Sequence, residues 1–586
     1  MAPRGYSLEK VFRKRMVLMT VLLFLSFAAI VARLAHLQLA RGNEFKVQAD
    51  SQRTSVRTIE PARGEIQIAD KFSGQPYTVA TSIEKPLVYA IPGSMTDREG
   101  AAKALAPILG LTEQEILDKT SDNNKKYVPL KRQLTDEDKK KIEDLHLAGI
   151  AFDTETIRFY PESAFLSQLL GFVGYKGDSG TTKTGLYGIE QAFNNYLTGS
   201  AGSVAQEGSA SGAWIFGAKR DKVAAKNGDT ILLTIDKTIQ FKAEKVLKEA
   251  VEHNQADSGS VIIMDPKTGA IQAMATYPTF DPNEYAKVDD PSIYNNQATL
   301  GAYEPGSIFK PITLAAASDQ GKISPDTTYT DTGSVTLGTY TIENSDHKAH
   351  GLQTMSQALQ ESLNTGMIFA KNQIGNKTFK EYIERFGFGK KTEIEVAEAK
   401  GDLENLNGNI DVNYATASFG QGISVTPLQM IQAYGALANG GKMMRPFVVQ
   451  SRISTGGKVE ETQPKEVGNP ISVKTASTVA AMMVNVVELG HGKRAQVPGY
   501  YVAGKTGTAQ VPRKDGKGYE ENNNIGSFAG FAPVEDPRFV MIVRINHPRT
   551  VSFAESTAAP AFGTLAQFLL QYYNVAPTRL DQVMKK

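Results

Sequence analysis

Apolar residues form one long run near the start of the chain, ahead of the shorter periodic patterns that fill the remainder. Residues 16–32 are apolar except for Thr20 and Ser26, and a less apolar stretch at residues 34–40 follows Arg33. A run of this length predicts a single transmembrane helix over residues 16–40.

Basic residues precede this run and favour one orientation. They are Arg4, Lys10, Arg13, Lys14 and Arg15. Because cytoplasmic flanks carry the excess of Lys and Arg, we predict that residues 1–15 are cytoplasmic and that the chain beyond residue 40 is periplasmic. A cleaved signal peptide is the alternative, but no A-x-A site occurs between residues 28 and 40, so an anchor retained in the inner membrane is favoured.

Short strand-like and helical patterns alternate over residues 41–228. The clearest of them are Ile66–Ile68, Val88–Ile91, Ala101–Leu109 and Asp136–Leu145. This mixture predicts an α+β domain, a non-catalytic pedestal. A stretch rich in Gly, Ser and Ala at residues 199–212 then precedes the single tryptophan, Trp214.

A second domain is predicted over residues 229–578, followed by a tail at 579–586. Its first elements are the strand Ile231–Asp236, the helix Thr238–His253 and the strands Gly259–Met264 and Ala270–Ala275. Strand patterns at both ends flank a mainly helical middle, which predicts an antiparallel sheet packed by helices. The fold class of the whole chain is therefore α+β.

Charge and composition exclude several kinds of partner. The 586 residues carry a formal net charge of +2 and include no cysteine. Nucleic acid as a main partner is disfavoured, as are thiolate metal sites and disulfides. His347 and His350 are the only close pair of histidines and lack ligands at metal spacing beyond Asp346. A solvated loop is predicted there, and we expect no metal and no cofactor.

Ser307 and Lys310 form the first candidate site. An isolated pair at this spacing is usually a serine cap with a solvated lysine. Here Glu304–Gly306 is turn chemistry and an apolar helical pattern follows, so Ser307 is predicted at a helix N-terminus. At positions i and i+3 the two side chains share one face, so the amine can take the hydroxyl proton. The serines of the other matching pairs, which open no such helix, are Ser7, Ser82 and Ser345.

Ser362 and Asn364 form the second candidate. A helical stripe leads into them, made of Leu352, Met355, Leu359, Leu363 and Met367. The functional interpretation makes Ser362 a proton relay between the amine and the leaving group, and gives Asn364 a hydrogen bond to the substrate amide. The alternative is a polar pair that merely ends a helix.

The third candidate, Lys505–Thr508, lies in a β-rich run broken by glycines. A glycine such as Gly507 weakens a strand unless another backbone must come close. An extended peptide laid along this strand is such a backbone. Lys505 and the hydroxyls of Thr506 and Thr508 would then hold the terminal carboxylate of that peptide.

The two lysines are predicted to play different parts. The ordinary pKa of a lysine is about 10.4, so Lys310 can act as a base only if its pKa is lowered. Burial among apolar neighbours and a positive charge on Lys505 would both lower it. We therefore expect Lys310 to be the base and Lys505 to be a fixed positive charge.

With these residues placed, the chain resembles the class B penicillin-binding proteins, the monofunctional D,D-transpeptidases of bacterial peptidoglycan, over nearly its whole length. The segments that carry the resemblance are Tyr303–Pro311, Phe419–Gln429, Ser527–Pro533, Arg158–Pro161 and Gly185–Glu190.

The resemblance implies a serine β-lactamase-like, penicillin-recognising fold and a two-step transfer. Ser307 would form an acyl-enzyme with a stem peptide ending in D-Ala-D-Ala, and an amine of a neighbouring stem peptide would take the acyl group. The backbone N–H groups of Ser307 and Thr508 would form the oxyanion hole. The resemblance also implies acylation and inhibition by β-lactams, and allows a D,D-carboxypeptidase side activity.

The resemblance further implies partners at the membrane. No glycan-polymerising domain is evident before residue 228, so a SEDS-family glycosyltransferase, with other cell-wall or division proteins, is the expected partner. General resemblance favours the division type over the elongation type.

Two local features depart from this simple picture. The family's Arg-Gly-x-Ile-x-Asp-Arg segment appears as Arg63–Lys71, two residues longer and ending in lysine. The pedestal is therefore expected to differ locally. The polar segment Pro512–Asn524 is predicted to be a mobile loop beside the third motif, either inert or a lid that gates the donor peptide.

Two other functions remain open at the level of sequence. A protein that hydrolyses or senses β-lactams would share the three motifs, although no deacylating base is evident. A catalytically silent divisome scaffold is disfavoured, because every catalytic position is filled.

Overall fold

The computed structural model describes residues 8–46, 54–175, 183–207, 220–513, 518–551 and 553–579. Trp214 and residues 208–212 of the Gly/Ser/Ala-rich stretch lie outside these ranges. The chain divides into two compact units. Residues 1–61 and 200–226 form the first, and residues 62–199 and 227–586 form the second.

Strands occur in both units. They are β1 (Thr54–Ile59), β2 (Ile66–Ala69), β3 (Tyr77–Ala90), β4 (Val128–Lys131), β5 (Ile150–Phe159), β6 (Phe172–Tyr175), β7 (Lys183–Leu186), β8 (Gly202–Glu207), β9 (Arg220–Val223), β10 (Thr230–Asp236), β11 (Ser258–Met264), β12 (Ile271–Tyr277), β13 (Thr328–Asp331), β14 (Ser334–Leu337), β15 (Tyr340–Glu343), β16 (Gly351–Thr354), β17 (Met443–Met444), β18 (Val449–Ile453), β19 (Val459–Glu461), β20 (Glu466–Gly468), β21 (Ala503–Pro512), β22 (Tyr519–Ala532) and β23 (Phe539–Asn546).

The α-helices also occur in both units. They are α1 (Leu8–Ala35), α2 (Arg98–Leu109), α3 (Glu113–Lys119), α4 (Asp136–Asp144), α5 (Ser167–Leu170), α6 (Gly188–Ala192), α7 (Asn194–Leu197), α8 (Lys237–His253), α9 (Gln297–Leu300), α10 (Lys310–Asp319), α11 (Met355–Gln360), α12 (Asn364–Arg385), α13 (Asp411–Ala417), α14 (Pro427–Ala438), α15 (Val473–Glu488) and α16 (Ala558–Tyr572). Short 3₁₀ turns occur at Pro92–Ser94, Pro282–Lys287, Pro291–Tyr294, Gly306–Phe309, Glu404–Leu406 and Lys493–Ala495.

The first unit contains the apolar N-terminal helix and a small sheet. Helix α1 continues into a π-helical turn at His36–Ala40, and the stretch Glu9–Ala40 is long and apolar enough to cross a membrane. The structure thus has one candidate transmembrane helix among its described residues, and it covers the predicted span. In the sheet, β8 pairs antiparallel with both β1 and β9.

A mixed sheet runs through the second unit in the order β19-β18-β10-β2-β3-β4, with β5 paired to β3. Strand β10 pairs parallel with β2, bringing Ile231 opposite Ile66, and antiparallel with β18. Strands from both sides of the predicted boundary at residue 228 therefore share one sheet. Helices α2, α3 and α4 bury Leu105, Ile116 and Ile142 against the end of β3 that carries Val88.

The sheet that matters for the site is antiparallel, in the order β12-β11-β23-β22-β21. Because side chains alternate along a strand, its two faces feed different cores. Val261 and Val543 pack with residues of α8 and α16, whereas Ile262 and Ile542 pack with residues of α14. This arrangement confirms the predicted antiparallel sheet packed by helices. Strand β21, with the third motif, lies at one edge.

Candidate active site

The first motif lies where a tight turn passes into a helix. Residues Gly306–Phe309 form a 3₁₀ turn that runs directly into α10, which begins at Lys310. Pro311 occupies the first turn of α10, where its missing N–H costs nothing. Ser307 thus lies on the 3₁₀ turn, and the hydroxyl of buried Tyr434 holds that turn by donating to the Ile308 carbonyl over 2.6 Å.

Close backbone contacts fix this turn against a glycine-rich loop. Gly306 has φ +58°, and its N–H donates to the carbonyl of Gly420 over 3.0 Å. A Cβ on Gly420 would lie 2.2 Å from the Gly306 carbonyl oxygen. Only glycine therefore fits at position 420, and the contact with this loop fixes the position of the turn that carries Ser307.

Lys310 is buried, 1% exposed, beneath the first motif. Its Nζ donates to the backbone carbonyl of Ser362 and, over 3.1 Å, to the Ser362 hydroxyl. Among the described residues, no hydrogen bond joins the Ser307 hydroxyl to Lys310, and no carboxylate pairs with its amine. The structure thus joins the first motif to the second through the lysine.

The second motif occupies a break between α11 and α12, not a continuous helix. Ser362 has φ 59°, in the left-handed region, and Leu363 N–H reaches back to the Ala358 carbonyl over 2.8 Å. A non-glycine residue in this region carries backbone strain, which is common at functional sites. Asn364 opens α12, and its Nδ2 donates to the Glu343 carbonyl over 2.8 Å.

The predicted stripe before this motif is wrong at its first residue. Leu352 lies on β16 and is 69% exposed, whereas helix α11 begins at Met355. A capping box at Thr354 and Gln357 starts the helix there.

The third motif lies on β21, paired antiparallel with β22. Lys505 is 0% exposed, and its Nζ donates to the carbonyl of Thr506 over 3.1 Å and to its hydroxyl over 3.3 Å. A Cβ on Gly507 would lie 2.9 Å from both Ile308 Cγ2 and Ser527 Oγ. Glycine is therefore required at position 507 because the nucleophile turn and β22 already lie close to it. The approach of a substrate peptide to this strand stays a prediction.

Burial shifts both lysine pKa values in the same direction. Burial, and after it the charge of Lys505, holds the pKa of Lys310 well below its ordinary value. Burial also lowers the pKa of Lys505 to about 7, while Glu555 opposes the fall. The fixed positive charge on Lys505 stays a prediction, and the lowered pKa makes this charge sensitive to nearby anions such as Glu555.

The three motifs meet at one cleft of about 620 Å³. The predicted site residues that line it are Ser307, Ser362, Asn364, Thr506 and Thr508. Phe419 and Gln421 of the segment Phe419–Gln429 also line it, and residues that sequence reasoning did not single out complete the walls, among them His491, Gln510, Phe553 and Glu555. His491, Phe553 and Glu555 lie on connections, and Gln510 lies on β21 beyond the third motif, so no short local pattern predicts these four positions.

Glu304, in the turn before Ser307, makes contacts that the sequence did not predict. Its two carboxylate oxygens accept hydrogen bonds from the Gly422 N–H over 3.0 Å and from the Tyr519 hydroxyl over 3.1 Å. Burial raises the pKa of Glu304. One side chain thus ties the nucleophile segment to the glycine-rich loop and to β22.

The contact with Tyr519 also corrects the predicted loop at Pro512–Asn524. Pro512 ends β21, and Tyr519–Asn524 begins β22, with Gln510 opposite Asn524 and Pro512 opposite Tyr519. Backbone pairing needs no apolar side chains, which is why a polar sequence can extend a hairpin. Residues 514–517 lie outside the described part of the chain.

The histidine pair singled out by spacing lies on a loop at the cleft rim. His347 Nδ1 lies 2.7 Å from Glu343 Oε2, and His350 Nε2 lies 2.8 Å from Asp346 Oδ2. Each histidine therefore pairs with its own carboxylate. The side chain of His347 is largely exposed, in keeping with a solvated loop.

A serine on a helix-opening turn, two buried lysines and an open strand edge around one cleft define a serine acyl-transfer site. Comparison with known proteins agrees. The penicillin binding protein transpeptidase domain matches residues 259–567, and the penicillin-binding protein dimerisation domain matches residues 58–233.

Similar proteins align over nearly the whole chain. Stage V sporulation protein D of Bacillus subtilis is 34% identical, covering 98% of this chain and 88% of that protein. Peptidoglycan D,D-transpeptidase FtsI of Escherichia coli is 29% identical, covering 97% of this chain and 93% of that protein. The chain belongs to the class B penicillin-binding proteins.

Solved structures share the fold. Penicillin binding protein 2X from Streptococcus thermophilus superposes with a TM-score of 0.73 at 25% identity, covering 91% of this chain and 82% of that one. Penicillin binding protein 3 from Mycobacterium tuberculosis, complexed with aztreonam, gives a TM-score of 0.68 at 25% identity, covering 89% of this chain and 98% of that one.

Proposed function

We propose that the protein is a peptidoglycan D,D-transpeptidase, which crosslinks stem peptides through a serine acyl-enzyme during cell-wall synthesis. Family membership and the names of its relatives support this function. The observation that carries it is buried Lys310, hydrogen-bonded to Ser362 and without a carboxylate partner among the described residues. A lysine so placed can be neutral at physiological pH and accept a proton.

In the first half-reaction, Ser307 Oγ attacks the carbonyl carbon of the penultimate D-Ala. Lys310 Nζ takes the hydroxyl proton as the C–O bond forms. The peptide C–N bond then breaks, and the terminal D-Ala leaves with a proton delivered to its nitrogen. Ser362 touches Lys310 Nζ through its hydroxyl, so it can pass this proton from the amine to the leaving group.

In the second half-reaction, an amine of a neighbouring stem peptide attacks the ester carbonyl. The amine loses one proton, the C–O bond to Ser307 breaks, and the serine hydroxyl is restored. Water in place of the amine gives the D,D-carboxypeptidase side reaction. We assign the backbone N–H groups of Ser307 and Thr508 to the oxyanion hole, as the resemblance implies, where one donor is typically worth about 10²–10³ in rate.

The third motif serves the carboxylate of the donor peptide. Thr506 and Thr508 line the cleft from edge strand β21, and Lys505 lies behind them. A cation and two hydroxyls suit a terminal carboxylate. Asn364 holds the peptide amide from the opposite wall. β-Lactams carry a carboxylate and a reactive amide, so we expect them to acylate Ser307, and solved relatives include complexes with aztreonam and ampicillin.

The same proposal covers location and partners. The N-terminal helix serves as a single-pass anchor, with residues 1–15 cytoplasmic and the pedestal (41–228) and transpeptidase domain (229–578) outside. The basic flank supports this orientation. Polymerised glycan strands then come from a SEDS-family glycosyltransferase bound through the anchor and pedestal. General resemblance favours the division type over the elongation type.

The decisive experiment follows the intact mass of the protein with benzylpenicillin over time, beside Ser307→Ala. A persistent adduct of one penicillin, lost in the variant, is expected. Rapid loss of the adduct with turnover of penicillin would mean a β-lactamase, and absence of any adduct would mean a scaffold. Either result would overturn the proposal.

A further inference from the structure

A buried carboxylate lies behind the second motif and is absent from the mechanism above. Asp331, at the end of β13, is 1% exposed. Its oxygens accept from Thr365 Oγ1 over 2.7 Å and from Asn344 Nδ2, which lies 3.0 Å from both. The N–H groups of Gly333 and His350 complete the shell at 3.0 and 2.9 Å. Four donor groups therefore hydrogen-bond to this one carboxylate.

Two of these donors belong to the immediate frame of the second motif. Thr365 follows Asn364 in the first turn of α12, and its N–H donates to Asn344 Oδ1 over 3.2 Å. Asn344 follows Glu343, whose carbonyl accepts from Asn364 Nδ2 over 2.8 Å. Asp331 thus holds both the start of α12 and the loop that orients the Asn364 amide.

The same frame bears on the base. Ser362, two residues before Asn364, sits in the left-handed region at φ 59° and contacts Lys310 Nζ through both its carbonyl and its hydroxyl. A residue in a strained conformation keeps it only when its surroundings impose it. When the first turn of α12 is held in place, the chain on the C-terminal side of Ser362 is fixed, and this helps to keep Ser362 in the left-handed conformation. A shift of α12 would therefore move Ser362, and with it the nitrogen of Lys310.

We propose that Asp331 is a positioning residue for acylation. Its carboxylate holds Ser362 and Asn364 in the positions that contact with Lys310 and with the substrate requires. The proposal rests on the function proposed above. It assigns Asp331 no contact with substrate. Its link to the second motif runs through the side chains of Thr365 and Asn344, and the variants that test it act on this link.

The variants remove single links of this frame. Asp331→Asn keeps the shape but replaces one acceptor with an N–H₂ group that faces the donors of Asn344 and Thr365. Thr365→Val removes only the hydroxyl donor, whereas Thr365→Ser keeps a hydroxyl at this position. Glu398→Gln is the matched control, because Glu398 is also buried, at 7% exposure, and accepts three hydrogen bonds from Thr392 and Glu393.

The measurement separates the acylation rate constant for benzylpenicillin from its dissociation constant, and records the Tm of each variant. We expect Asp331→Asn to lower the rate constant about 100-fold, as a misplacement of about 1 Å can. Thr365→Val should lower it about tenfold, from the loss of one charge-assisted hydrogen bond. Thr365→Ser and Glu398→Gln should stay within about threefold of wild type, a margin below one neutral hydrogen bond.

The outcomes distinguish this proposal from its foundation. Unchanged acylation in folded Asp331→Asn or Thr365→Val overturns the positioning role. So does an equal loss in Glu398→Gln, because a general loss of stability would then explain both. If wild type itself forms no adduct, the proposed function fails first, independently of any comparison between variants.

Discussion

The pedestal and the candidate active site both bury charged side chains, and they do so in opposite ways. In the pedestal, the carboxylate of Glu190 has 0% side-chain exposure and pairs with Arg63 and Arg158, each over 2.6 Å. In the cleft, Lys310 and Lys505 are as deeply buried, yet neither pairs with a carboxylate within the described part of the chain. The first site satisfies its charges and the second does not.

Satisfaction at Glu190 extends to its partners. Arg63 also donates to Asn194 Oδ1 over 3.0 Å and to Thr198 Oγ1 over 2.9 Å, and Arg158 donates to the Gly64 carbonyl over 2.7 Å. Buried charges arranged like this hold segments together, and removing one partner leaves the others stranded. The Glu190 cluster is therefore a structural joint.

The cleft lysines carry the opposite cost. An amine buried without an anion loses its hydration and gains no ion pair, so its pKa falls. Such a group weakens the fold and persists where its reactivity is used. The comparison teaches that the partner of a buried charge, more than its burial, separates a structural from a chemical role.

The largest effect is expected from removing the unpaired amine. Lys310→Met keeps the length and apolar stem of the side chain but no base. Acylation by a fluorescent penicillin should fall by about 10³-fold or more, the upper range for a general base. The free energy of unfolding in urea should stay the same or rise, because folding buries the amine without an anion at the cost of its hydration or its proton, and Met has no such cost.

Lys371→Met is the matched control for this prediction. Lys371 is also buried, at 3% exposure, with a pKa lowered by burial, but it bonds Asn376 at 3.1 Å and not a residue of the second motif. It should acylate at the wild-type rate. If Lys310→Met retained acylation within about tenfold of wild type, less than a general base contributes, the role of Lys310 as base would be lost.

Breaking the satisfied site should do the reverse. Glu190→Ala leaves two arginines without their carboxylate and should lower the free energy of unfolding by about 3–5 kcal/mol. The protein that remains folded should acylate at the wild-type rate. Urea unfolding beside the acylation assay tests both statements, with Glu137→Ala as control, since the Glu137–Lys141 pair is exposed.

The result for Glu190 has a clear opposite. A variant of unchanged stability would show that the cluster is not a joint. A folded variant with lost acylation would place Glu190 in the chemistry and remove the contrast between the two sites.

Periodicity in the sequence predicted the elements that carry these sites better than their connections. Helix α8 and strands β10 to β12 lie within two residues of their predicted bounds, because each presents a continuous apolar face to a core. The helical stripe before Ser362 also exists, but it hides a break. The left-handed turn there is set by contacts with Lys310 and α12, which periodicity does not encode.

The residues around the motifs escaped prediction for a related reason. Asp331 and Asn344 lie 13 positions apart and meet the second motif only through folded β13 and β15. Glu304 and Tyr519 form a hydrogen bond although they lie 215 positions apart. Hydrogen bonds between distant polar residues leave no local pattern, whereas the three motifs are short enough to be read directly.

The smallest effect is expected at Lys505, whose positive charge is stabilised by Glu555 without a direct ion pair among the described residues. Burial lowers the pKa of Lys505 to about 7, and Glu555 is the group that opposes the fall. Since the pH profile of the second-order acylation constant reports the free enzyme, loss of the Lys505 proton should appear as a basic limb. Glu555→Gln removes the opposing charge, so the pKa of Lys505 should fall further and the limb should move to lower pH. Because Glu555 is 43% exposed, solvent screening should keep the shift below about one pH unit.

Glu361→Gln, which neutralises another carboxylate of the cleft wall, should leave the limb in place. An unmoved limb in Glu555→Gln, or equal shifts in both variants, would mean that the cleft holds no specific counter-charge for Lys505.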